Sequence, residues 1–395
     1  MTPAPPARDR APVIAGNPAG SFAWGVLHER HPALVERVRR ATPYPPAQQR
    51  ALDALLAETA PGGVVTPLDG TGPDTERWRE WSRGHVGRRW ADVPFLWAES
   101  FFYRRLLAAL GYFEGGAWQG VDPFGPFKAA ELANAKLDGE LAALDRLPQL
   151  PADEQDKAVL LSSLWGNRAD LGFRMSAGAQ GLGERVTGLV ADDSAALWDV
   201  LGTGRPGTVC LVADNAGPEL LPDLVLADHL LHTGRASAVV LHLKPHPYYV
   251  SDATTADVLA CLGRMTAASG HAARVGERLR EAVGGGRLVL RAHPFSCAPL
   301  PYADMPADLR DDFASAALTL MKGDLNYRRL VDDRHWPATT PFADVTAYFP
   351  GPVAALRTLK SDVVTGLAPR TADDLDATGT AWRTSGTHGL VQLAT

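Results

Sequence analysis

Four short apolar runs in the second half of the chain constrain its fold more than any other feature. They are TVCLVA (208–213), AVVLHL (238–243), RLVLRA (287–292) and AALTLM (316–321), and amphipathic stretches at 219–233, 254–268 and 271–283 separate the first three. Strand–helix alternation of this kind builds a parallel sheet flanked by helices. GTGRPG (202–207) reads as the turn that opens this α/β unit. The first half has a different rhythm. HPALVERVRRA (31–41), PAQQRALDALLAETA (46–60), AESFFYRRLLAALGYF (98–113) and KAAELANAKLDGELAALDRL (128–147) carry apolar residues at helical spacing, and a shorter helix is expected over 158–164. The expected organisation is a disordered tail over residues 1–17, a mainly helical region over 18–203 and a catalytic α/β domain over 204–395.

Composition narrows the functional classes. With 21% charged and 46% hydrophobic residues over 395 positions, the chain has the balance of an ordinary globular protein. A formal net charge of −6 argues against a nucleic-acid surface. No segment approaches the roughly 20 consecutive apolar residues of a membrane span. The N-terminus MTPAPPARDRAPVIAG lacks the apolar core of a signal peptide, so a cytoplasmic location is expected. Three widely spaced cysteines, Cys210, Cys261 and Cys297, fit reduced thiols in a core. The ten tryptophans are expected to pack in the interior.

In open parallel sheets the ligand site lies outside the carboxyl ends of the strands. The residues that follow each apolar run therefore define the candidate site. The first run delivers Asp214 and Asn215, the second Lys244, Ser251 and Asp252, the third His293, and the fourth Lys322, Asp324, Asn326 and Arg328. Two carboxylates and an amide oxygen make a hard, all-oxygen set suited to Mg²⁺ or Mn²⁺, with Ni²⁺ or Co²⁺ able to substitute. Lys or Arg would neutralise the oxygens of a bound phosphate. Taken alone, Asp214 and Asn215 could equally cap the following helix. The recurrence of acidic residues at matching strand ends favours a site. Gly217 and Gly323 fit a close approach of backbone to ligand. His242 and His246 are separated by Pro245, so they cannot share one helical face as a zinc pair. DNAGPEL replaces the glycine-rich loop of a dinucleotide site, and there is no GxSxG, Walker A or HExxH motif.

SLWGNRADL (163–171), ADNAGPELLPDLVLADHLL (213–231), YVSD (249–252), MKGDLNYRRL (321–330) and RTLK (357–360) together resemble the damage-control phosphatases. The closest resemblance is to the subfamily also described as acidic-residue (protein-glutamate) methyltransferase-like. GSFAWGVLHERHP (20–32) and AESFFYRR (98–105) extend the resemblance over nearly the whole chain. It implies an N-terminal helical region packed on a three-layer α/β/α domain with a largely parallel sheet. It implies Asp214, Asn215 and Asp252 as catalytic residues and ligands of a divalent metal (Mn, Mg, Ni or Co). Asp324, Asn326, Arg328 and Lys360, with Asn167 of the WGNRADL segment, would hold substrate; Arg357 shares the RTxK motif.

The implied activity is metal-dependent hydrolysis of small phosphomonoesters, with ketose phosphates such as fructose 1-phosphate favoured. The nucleophile is either water or Asp214. The expected partner is a small phosphorylated metabolite, with no nucleic acid or membrane, and the chain a monomer or weak homo-oligomer. Three alternatives stand beside this reading. They are adenosylmethionine-dependent methylation of protein glutamates, non-catalytic binding of a sugar phosphate or nucleotide, and a phosphatase of a specialised biosynthetic pathway.

Overall fold

The structure is a computed structural model that describes residues 11–70, 72–166, 188–202 and 205–395. Seven strands form one sheet: β1 (Leu189–Asp192), β2 (Thr208–Val212), β3 (Ala238–Leu243), β4 (Leu288–Ala292), β5 (Leu318–Lys322), β6 (Val353–Thr358) and β7 (Gly389–Ala394), in the order β1-β7-β6-β5-β2-β3-β4. Strands β2 to β6 run parallel, β7 is antiparallel to β6, and β1 is parallel to β7. The largely parallel, helix-flanked sheet expected from the sequence is present.

The continuous apolar character of the runs follows from burial on both faces. Side chains alternate along each strand with a period of two. Val209, Leu211, Val239, Leu241, Leu318 and Leu320 point into one core, shared with the helices Leu220–His232 and Gly270–Gly284. Cys210, Val212, Val240, Met321 and Ala355 point into the other, which also holds Val35, Val38, Trp78, Trp90, Phe101 and Phe102 of the N-terminal helices. The helices of residues 22–109 therefore form one outer layer of the sheet, while those at Lys136–Ala143 and Ala152–Trp165 pack in the opposite layer. Each fully buried leucine or valine contributes about 1.5–3 kcal/mol to this packing. The three cysteines are free and buried, as expected.

Four features depart from the sequence expectation. Residues 11–17, read as part of a disordered tail, pack: Ala11 and Ile14 are buried, and Ala15 bridges to Pro94. The segment 128–147 is three pieces, Gly125–Leu132, Lys136–Ala143 and a 3₁₀ turn Leu144–Gln149. The break at Asn134 is locally encoded, because its side chain accepts a hydrogen bond from the Lys136 N–H at 3.0 Å and so competes with helix continuation. The fourth strand begins at Leu318 and runs on to Lys322. Finally, β1, β6 and β7 went unread. β1 lies before the expected boundary near residue 204 yet joins the sheet.

The sheet order fixes where a ligand can bind. β2 is flanked by β3 on one side and β5 on the other. The connection from β2 goes one way and the chain later returns to the opposite side, so the loops after β2 and β5 part at their carboxyl ends. A crevice at such a switch point is where open α/β sheets bind ligands.

Candidate active site

Asp214 and Asn215 leave the end of β2, and the loop after β3 folds back to meet them. Asn215 and Asp252 form an antiparallel bridge. Ala216 N–H donates to the Ser251 carbonyl at 2.6 Å, and Ala253 N–H donates to the Asp214 carbonyl at 2.9 Å. These backbone bonds bring the three expected ligands together, although 36 residues separate Asn215 from Ser251. The Ser251 hydroxyl donates to Asn215 Oδ1 at 2.9 Å, and Asn215 Nδ2 donates to Glu219 Oε2 at 2.9 Å, so the amide orientation is set. Tyr249 N–H donates to Asp252 Oδ2 at 3.1 Å, and Lys128 Nζ anchors the Asp252 carbonyl at 3.0 Å.

Gly323, at the end of β5, has φ +81°, and a Cβ there would lie 1.8 Å from Asp214 Oδ2. Only glycine leaves room for that carboxylate. Next to it, Asp324 accepts from Arg357 Nε at 2.8 Å, from the Ser361 hydroxyl at 3.1 Å and from the Lys360 N–H at 3.2 Å. The RTLK segment thus closes over Asp324 and sends the Lys360 side chain outward, with its ammonium 3.8 Å from Glu219.

A cavity of about 490 Å³ opens between these loops and the first N-terminal helices. The strand-end loops contribute Asp214, Asn215, Asp252, Asp324 and Lys360 to its lining, together with Arg328, and the N-terminal helices contribute Glu99, Tyr103, Arg30 and Arg37.

Electrostatics distinguish the carboxylates. Burial, then repulsion from Asp252 and Glu219, raises Asp214 to about 8, against weaker attraction from Lys360 and Lys244. Burial would also raise Asp324, but Arg357, then Arg328 and the Ser361 hydroxyl, hold it below the usual carboxylate range. The Asp214 carboxyl of the metal-free fold keeps its proton until about pH 8, whereas in the unfolded chain it ionises near 3.8, the ordinary range of an aspartate. Between those values the fold binds more protons than the unfolded chain, so stability falls as pH rises. The metal-free protein is expected to lose melting temperature from pH 5 to pH 8, and Asp214→Asn should flatten that slope. A differential-scanning series at several pH values checks both.

The donor set suits a hard divalent cation. Asp214 and Asp252 repel one another, and among the described residues no hydrogen bond reaches the Asp214 carboxyl. Both features describe oxygens whose charge Lys360 and Lys244 offset only in part. Among the described residues no group of three or more His, Cys, Asp and Glu side chains is arranged for a metal. Any ion here would therefore rest on two carboxylates, the Asn215 amide oxygen and non-protein oxygens.

Other expected residues fall differently. Asn326 is fully buried: its amide donates to the Ala213 and Lys322 carbonyls and accepts from the Tyr302 hydroxyl. It ties the ends of β2 and β5 together from beneath, outside the cavity lining. Arg328 does line the cavity, but Asp333 binds it through two bonds of 2.8 and 2.9 Å, and Glu99 through one of 2.7 Å. His293 faces away, accepting from the Phe295 N–H and pairing with Asp308. Asn167 lies outside the described residues. Sequence reasoning missed Arg30, Arg37, Glu99 and Tyr103. The first two lie seven residues apart on the continuous N-terminal helix made of the π-helical turn Val26–Arg30 and the α-helix His31–Ala41, whose segment HERHP belongs to the stretches carrying the resemblance.

Curated relatives named damage-control phosphatase ARMT1 align with almost the whole chain. The zebrafish (Danio rerio) protein is 29% identical over 95% of this chain and 95% of its own length, and the human protein 28% identical over 96% and 97%. Among solved structures, a DUF89 family protein from Pyrococcus horikoshii aligns with 88% of this chain and 92% of its own at 15% identity, with a TM-score of 0.48. The damage-control phosphatase ARMT1-like domain matches residues 26–375, and the chain therefore belongs to that family.

Proposed function

We propose that this protein is a metal-dependent phosphatase that hydrolyses small phosphomonoesters, ketose phosphates such as fructose 1-phosphate being the favoured class. One observation carries the reading: Asp214 and Asp252, drawn together by the Asn215–Asp252 bridge, face a cavity that also holds Lys360. Asp214, Asn215 and Asp252 would hold a Mn²⁺, Mg²⁺, Ni²⁺ or Co²⁺ ion, which when bound supplies Lewis-acid neutralisation of phosphate charge.

The chain's own groups do the rest. Lys360 is 40% exposed and only loosely paired with Glu219, so its ammonium is free to turn to a phosphate oxygen. Asp324, held ionised by Arg357, offers an acceptor to a sugar hydroxyl. Arg328, clamped by Asp333 and Glu99, retains donors beyond the three it uses there. The nucleophile would be either metal-activated water or the Asp214 carboxylate.

The test uses a metal-stripped preparation with each cation restored in turn, assayed against p-nitrophenyl phosphate and a panel of sugar phosphates. Metal-dependent phosphate release, strongest on ketose phosphates, is the expected result. No release with any cation would sink the reading and direct the next assay to methyl-ester formation from adenosylmethionine.

A further inference from the structure

Charge around the cavity is unevenly satisfied. Arg328 is neutralised by Asp333 and Glu99 and Asp324 by Arg357, while Lys360 is held only loosely by Glu219 and stays available to a phosphate oxygen. Asp214 and Asp252 are the complement of a divalent cation. Arg30 and Arg37 remain. Among the described residues no carboxylate lies within ion-pair distance of either one, although both line the cavity. They stand seven residues apart, two helical turns or roughly 10 Å along the axis, and so share one face. Each guanidinium is parked over a ring, Arg30 5.1 Å from the Phe22 centroid and Arg37 4.7 Å from that of Phe127. Aromatic faces hold a guanidinium in place while leaving its N–H edge free for an anion. Between the two, His31 adds no charge: burial against Phe102, then repulsion from His28, lowers it to about 3. The helical wall of the cavity therefore carries two positive charges with no carboxylate in ion-pair contact among the described residues, Glu131 acting on Arg37 only at longer range.

We propose that Arg30 and Arg37 are the substrate-recognising arginines of this enzyme, matching the two negative charges of a phosphomonoester dianion across the cavity from Asp214 and Asp252. This inference rests on the reading of the cavity as a phosphate-ester site. It moves the charge recognition of substrate from Arg328, which is already paired, to the N-terminal helix. It also sets the substrate class: dianionic monoesters are preferred, and singly charged phosphodiesters leave one arginine unmatched.

The experiment titrates inorganic phosphate into the protein by calorimetry, with and without Mg²⁺. It compares wild type with Arg30→Gln, Arg37→Gln and the two Arg→Lys variants, with melting temperatures as control. A charge-assisted hydrogen bond contributes about 1.5–3 kcal/mol, so each glutamine variant should weaken phosphate binding roughly 10- to 100-fold. Partial recovery with lysine and little change in melting temperature are expected. On a hydrolysed sugar phosphate the same variants should raise KM more than they lower kcat. Phosphate affinity within about twofold of wild type in both glutamine variants would overturn the proposal, as would a wild-type protein that binds no phosphate. Wild type that binds phosphate but hydrolyses nothing would reject the phosphatase reading while leaving the arginines' role to be decided by the same titration.

Discussion

Asp252→Asn is expected to reduce metal-dependent phosphate release by roughly a thousandfold, as is typical when a principal electrostatic element of a catalytic site is removed. Asparagine keeps an oxygen to accept the Tyr249 N–H, so the loop after β3 should hold its shape. The lost charge is half of the anionic pair that would hold the cation. Stability should move the opposite way, because Asp252 is the largest charge repelling Asp214. The metal-free variant should melt at or above the wild-type temperature while turning over almost nothing, an opposition expected of residues retained for function at the expense of the fold. Turnover within tenfold of wild type would show that the cation, if any, is held elsewhere. A marked fall in melting temperature would assign Asp252 a structural role instead.

The second large effect is expected at Gly323, which holds no charge. Alanine there meets two obstacles. Its backbone has φ +81°, a conformation that costs an L residue about 1 kcal/mol, and its Cβ would sit where Asp214 Oδ2 now lies. Either β5 or the Asp214 side chain must shift. Misplacing a catalytic group by about 1 Å can cost about a hundredfold in rate, and a loss of that order is expected here with a melting temperature lower by several degrees. Parallel measurement of kcat and of Mg²⁺ affinity separates the causes. Loss of both is the expected pattern, and retention of full activity would show that the crowding at Asp214 is not needed for the site.

Much of the site was legible because parallel sheets place their ligands at strand ends. Reading the residues that follow each apolar run picked out Asp214, Asn215, Asp252 and Asp324, which line one cavity, and also His293, which does not. Asn326 and Arg328 show the limit of that reading. Both follow β5, but a helix beginning at Gly323 turns Asn326 inward beneath the strands and delivers Arg328 to Asp333 and Glu99. The partners that decide this lie far off in sequence, with Glu99 229 residues away from Arg328. The missed strands have a similar cause. β6 carries Arg357 in a fully buried position, and β7 carries Gln392, whose amide is satisfied by Thr365 and Tyr327. Polar residues interrupt the apolar pattern there, and only tertiary partners make them compatible with a core. Arg30 and Arg37 were hidden for the opposite reason: on an amphipathic helix an exposed arginine looks like ordinary solvated surface until the facing wall is known.

The insertion of β7 between β1 and β6 bears on how the molecule is made. β7 is translated after the other six strands, yet among the described residues β1 pairs with the sheet only through it. A nascent chain can assemble β2 to β6 as they emerge, since their contacts follow one another in synthesis. It must then leave one edge of β6 and all of β1 waiting without a ladder. Such an interval exposes unpaired strand edges, the surfaces most prone to wrong association. Shielding of that gap during synthesis should therefore govern yield: a chain stopped before Gly389 should need a chaperone or aggregate, even though every residue named for the cavity has already been made.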